Sequence, residues 1–194
     1  SGTGVERSMK EMGELLRSER QTRLMYNTIA WISGLTIIAV IVSGLAGIFY
    51  SGGGVVEIGA ALVNVEFPLP FFAKPVTYLS VACVTFFYSS LMLWRNKIAK
   101  WSRLRLSVLQ LFAIVVAFSS AYEVLYNFML WGAIYSVQVL TEHIRDPDLI
   151  TSPSLVPWNL VFATKMFASL FVISGYSVYF LRRLHHPKEA LPEV

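Results

Sequence analysis

Two charged residues stand inside stretches that are otherwise apolar. Glu123 lies within Ser119–Phe128, "SSAYEVLYNF", and Lys165 within Trp158–Leu181, "WNLVFATKMFASLFVISGYSVYFL". In a bilayer interior such a residue costs about 2.5–3.5 kcal/mol on insertion scales. Glu123 is 17 residues beyond Leu106, a rise of about 25 Å along a helix. Lys165 is seven residues past Trp158, about 10 Å in from the opposite end. The two therefore sit at similar depth on sequence-adjacent antiparallel helices. Three readings follow: an ion pair that fixes packing, a functional pair lining a polar path or ligand pocket, or a Lys165 that snorkels to the interface alone. Ser120, Glu123 and Asn127 recur at i, i+3 and i+7 and share one helical face, flanked by Tyr122 and Tyr126. A polar seam of this kind faces other helices or water, because facing lipid would leave it unsatisfied.

Other candidate groups carry less chemistry. Ala39, Ser43 and Gly47 recur every four residues, a small-residue row that lets backbones approach closely. Thr164 and Ala168 repeat the pattern in the fourth span. Such a row on the first span belongs inside the bundle or against another subunit. Glu142, His143, Asp146 and Asp148 cluster between the third and fourth spans, but their spacing matches no metal motif. Cys83 is the single cysteine, so neither an internal disulfide nor a CxxC site is available. The histidines, His143, His185 and His186, all fall outside the spans, which argues against a bis-histidine haem in the bundle. No GxSxG, HExxH or paired intramembrane acid motif is present. No catalytic residue, metal or cofactor is expected.

The elements that must position these residues follow from composition. The chain has 194 residues, 55% of them apolar and only 14% charged, against roughly 25% charged in a typical soluble domain. Mean hydropathy is +0.58. Four stretches reach the roughly 20 apolar residues needed to span a bilayer: about 28–50, 75–94, 106–131 and 158–181. None resembles a cleaved signal peptide. Segments 1–27, 95–105 and 182–194 hold thirteen Lys and Arg residues, whereas the alternate loops hold only Lys74 and Arg145. That asymmetry predicts both termini in the cytoplasm, a multi-pass topology in the cell membrane. Trp31, Trp94 and Trp101 fall near the expected inner boundary, and Trp131 and Trp158 near the outer one, as indole prefers. The net charge of +4 has this topological explanation, so no nucleic-acid role is expected.

Val5, Met9, Met12 and Leu16 form one face of an amphipathic helix in the 1–27 tail, suited to a membrane surface or a partner. The outer loop 51–74 is moderately apolar yet too short to span. It could lie in the interface, form a hairpin, or pack as a lid over the bundle. The expectation is an all-α integral membrane four-helix bundle with an N-terminal amphipathic helix and basic tails. Its partners would be the lipid bilayer and either other subunits or further copies of itself. Function falls into two classes: a non-catalytic subunit or scaffold of a larger membrane complex, or a small oligomeric channel or transporter using the Glu123/Lys165 seam.

Overall fold

The computed structural model describes residues 3–50, 62–63, 74–140 and 158–185, and side chains within these over 18–46, 62–63, 74–137 and 159–184. All four main elements are helices: α1 (Thr3–Tyr50), α2 (Pro75–Ile98), α3 (Arg103–Leu140) and α4 (Trp158–His185). Each contains a segment long and apolar enough to cross a membrane. No strand occurs among the described residues.

Helix boundaries follow local chemistry. Lys74 is extended, and Pro75 starts α2, where its missing N–H is not needed. Residues 99–102 form the turn to α3, closed by Lys100 N–H to Lys97 O at 3.2 Å and Trp101 N–H to Ile98 O at 3.0 Å. Ser102 caps α3 by accepting from Arg105 N–H at 3.4 Å. α1 runs unbroken from the charged tail into the first span, with no proline to stop it. Its 48 residues amount to about 72 Å of helix. α3 runs on to Leu140, nine residues beyond the expected end of its span at 131. The apolar run continues that far without a breaker.

The helices pack as an open row in the order α1, α2, α4, α3. α1 lies along α2 and α3 lies along α4, while a smaller contact joins α2 to α4. Among the described residues α1 does not pack on α3, so the four do not close into a ring. α2 and α3 share a short turn but do not pack along their lengths. They meet instead around Ile98, Leu106, Phe180 and Leu181, a cluster that ties both to the end of α4.

The contact faces are narrow and built from small residues. Ala30, Ser33, Val40 and Gly44 are the buried positions of α1, and Ile37 is half-buried between them. These steps of three and four make one helical stripe. Ser33 and Thr85 share a hydrogen bond of 2.8 Å across α1 and α2. A second cluster gathers Val40, Leu62 and Leu79, with Phe162 and Met166 of α4 packed against it. The outward faces carry large apolar side chains such as Trp31, Phe118 and Met129. Lipid tails are as apolar as these residues, so shape and hydrogen bonding rather than apolar burial hold such helices together. That is why the buried stripes are rich in Ala, Ser and Gly.

Of the outer loop, Leu62 and Val63 are described, helical and buried. Leu62 presses into the space left by Gly44: a Cβ built there would come within 2.5 Å of Leu62 Cδ2. Leu62 is thus packed against α1, next to Val40 and Leu79.

Candidate functional site: the polar seam of α3 and α4

Leu106, Ala113, Ser120 and Asn127 are the buried residues of α3, spaced by seven. Gln110, Ala117 and Val124 lie half-buried between them. This alternation of three and four keeps one seam turned toward α4 along the whole contact. Ser120 and Asn127 are therefore interior, Glu123 is half-buried at the seam's margin, and Tyr126 points outward. Tyr126 stacks on Tyr122 one turn away, with centroids 6.2 Å apart.

Lys165 takes a partner other than the one matching depth suggests. Its Nζ donates to Thr77 Oγ1 of α2 at 2.9 Å. No ion pair with Glu123 forms among the described residues, and Glu123 makes no hydrogen bond there. The row order explains this. α4 lies between α2 and α3, so a side chain on α4 can turn either way, and depth alone does not choose.

The hydroxyls of the seam are satisfied within their own helices. Ser120 donates to Val116 O at 2.7 Å and Ser169 to Lys165 O at 2.9 Å. Ser174 and Thr164 do the same, to Leu170 O and Leu160 O. Hydroxyls bonded back to the preceding turn can be buried between helices without a partner across the interface. Asn127 differs: its Nδ2 is buried and has no hydrogen-bond partner. Ala39 and Ser43 lie exposed on α1, away from its buried stripe, and Ser43 donates to Val40 O at 2.8 Å. The side-chain position of Gly47, and the whole Glu142, His143, Asp146 and Asp148 group, lie outside the described residues. So do the side chains of Val5, Met9, Met12 and Leu16.

Several relationships are not foreshadowed by the polar seam. Tyr26 of α1 meets Tyr88 of α2 edge to face at 6.0 Å, and Tyr88 meets Tyr176 of α4 at 5.0 Å. Three helices thus join through tyrosines near the basic end of the row. The available signal is that all three lie within about two turns of an Arg or Lys cluster. Two hollows adjoin this cluster. One is an apolar groove of about 300 Å³ between α1, α2 and α4, and the other is a notch of about 40 Å³ lined by Arg95 and Arg183. A more polar cleft of about 400 Å³ lies between α1 and α2, lined by Arg20, Arg23, Trp94 and Lys97.

Compared with known proteins, the chain matches no family model, no curated protein sequence and no solved structure. Its function has to be argued from the residues and their geometry.

Proposed function

We propose that this chain is a non-catalytic subunit or scaffold of a larger assembly in the cell membrane, with both ends in the cytoplasm. The observation that carries the reading is the open row. Among the described residues, four helices in the order α1, α2, α4, α3 do not close around a central space, which speaks against a conduit within one chain. The hydroxyls of Ser120 and Ser169 in the α3–α4 contact bond back to their own helices, as packing groups do. An open row also leaves α1 and α3 with free flanks. On α1 the small residues Ala39 and Ser43 face outward, which suits close approach by a helix of another subunit. The experiment is extraction from native membranes in mild detergent, followed by cross-linking and mass measurement. An assembly well above the 21.8 kDa chain, disrupted by bulky substitutions at Ala39 and Ser43, is the expected result. A monodisperse single chain that comes away with no partner would sink the proposal.

One observation favours an oligomeric channel or transporter as the second reading. Glu123 makes no hydrogen bond or ion pair among the described residues and is half-buried on α3, the helix at an edge of the row. Copies meeting along that edge would bring their Glu123 side chains together. Solute flux into vesicles holding the purified chain, lost on Glu123→Gln, would favour this reading over the scaffold.

A further inference from the structure

We infer that the apolar groove and the basic notch beside it form one binding site for an anionic phospholipid. The acyl chain would lie between α1, α2 and α4, and the phosphate between Arg95 and Arg183. The inference requires that the chain crosses a membrane, and does not depend on the scaffold role.

The two hollows share a wall. Tyr176 lines both the groove and the notch. On one side of it, Ile29, Val84, Phe87, Val172 and Ile173 present hydrocarbon. On the other, Arg95, Tyr179 and Arg183 line the notch. A long apolar body with one anionic end is the shape and polarity of a phospholipid. A soluble anion would use only the notch, and a neutral lipid only the groove.

Charge points the same way. Arg95 and Arg183 make no ion pair among the described residues, and Glu19 and Glu123 are the only carboxylates whose side chains are described. Glu19 is on α1, eight residues before Asn27, and Glu123 lies midway along α3; neither lines the notch. Two arginines that line one notch and have no ion pair among the described residues suit a phosphate, which a guanidinium fork can bind through two parallel hydrogen bonds. Basic pockets between membrane helices are a recurrent way of holding anionic headgroups.

The groove also holds a polar atom that the protein leaves unmet. Ser89 is 1% exposed, its hydroxyl has no hydrogen-bond partner, and the residue lines the groove. Most buried hydroxyls find a partner. The groove volume of about 300 Å³ is at the lower end of the roughly 300–1,000 Å³ of ligand sites. Its apolar lining suits part of one acyl chain.

The test uses the full chain in detergent, titrated with phosphatidylglycerol or phosphatidylcholine. Bound lipid is counted by native mass spectrometry, and the thermal midpoint is followed in parallel. The unaltered protein should retain one phosphatidylglycerol at least tenfold more tightly than phosphatidylcholine and melt higher with it. Arg95→Gln together with Arg183→Gln should abolish that preference. Lys100→Gln, at the same basic end but outside the notch, should keep it. Ile173→Trp, which fills the groove, should lower phosphatidylglycerol retention with both arginines in place. Equal retention of the two lipids by the unaltered chain would overturn the proposal, and so would equal losses from Lys100→Gln and the arginine pair. Displacement of the lipid by millimolar inorganic phosphate would also overturn it, since that would mark a site for a soluble anion. If the arginine pair fails to fold, the two-lipid comparison and Ile173→Trp still decide: equal retention of the two lipids, or undiminished phosphatidylglycerol retention by Ile173→Trp, overturns the proposal.

Discussion

Lys165 Nζ donates to Thr77 Oγ1 at 2.9 Å and so bolts α4 to the first turn of α2. It is a side-chain hydrogen bond across the contact of α2 with α4, the smallest contact of the row. Removing the hydroxyl should therefore cost more than removing the amine. Thr77→Val leaves Nζ half-buried without its acceptor, a loss of about 1–3 kcal/mol. Lys165→Met removes the group that needs solvation and should be close to neutral, and the double variant should recover most of the Thr77→Val loss. Thermal midpoints of the four proteins in detergent measure this. A Thr77→Val protein as stable as the parent would show that the bond contributes nothing.

Glu123 and Lys165 should behave as independent sites. Glu123→Gln and Lys165→Met share no partner, so their effects on stability should add to within about 0.5 kcal/mol. A coupling of 1–2 kcal/mol or more in the same unfolding series would mean that the two charges interact after all.

Gly44 of α1 and Leu62 form a close-packed pair. A methyl group at position 44 would meet Leu62 Cδ2 at 2.5 Å and Cγ at 3.1 Å. Leu62 is buried and has little room to turn aside. Gly44→Ala should cost about 1–3 kcal/mol through overpacking. In a Leu62→Ala background the same change should cost little, because the clashing atoms are gone. Protease nicking of the 51–74 loop should rise in Gly44→Ala and serves as a second readout.

Asn127 occupies a buried heptad position with one amide hydrogen-bond donor group unmet. An apolar side chain there should pack better in the isolated chain. Asn127→Leu is expected to raise the stability of the purified monomer by about 1 kcal/mol. If Asn127 is kept for a contact between chains, the same variant should lose assembly while gaining stability. Melting and cross-linking of one preparation read both effects, and a destabilised monomer would show that Asn127 is already satisfied.

Topology can be tested by labelling in a Cys83→Ala background. Cysteines at Ser102 and Pro192 should be shielded from an impermeant thiol reagent in intact cells, and those at Gly53 and Thr151 should react. Reaction of position 102 from outside would invert or break the proposed four-span arrangement.

The sequence by itself determined what depends on the solvent rather than on neighbours. A run of apolar residues long enough to cross hydrocarbon has to be helical there, because the backbone must satisfy its own hydrogen bonds. Four such runs are therefore legible as α1 to α4, and Pro75 marks the start of α2 to the residue. The heptad of small and polar residues on α3 is legible too, since helical period alone places Ser120 and Asn127 on one face. The end of α3 at Leu140 was less so, because nothing in the sequence distinguishes helix beyond the bilayer from helix within it. What only the tertiary structure decided is which helix each face meets. Sequence gives a residue's depth along its helix but not the identity of the neighbour on either side. Glu123 and Lys165 share a depth, yet α4 lies between α2 and α3, and Lys165 turns to Thr77. For the same reason Ala39 and Ser43 of the small-residue row singled out on α1 face outward, while Gly44, one position from Ser43, takes the close contact with Leu62. A step of one residue is about 100° around a helix, and only packing fixes which of those directions is inside.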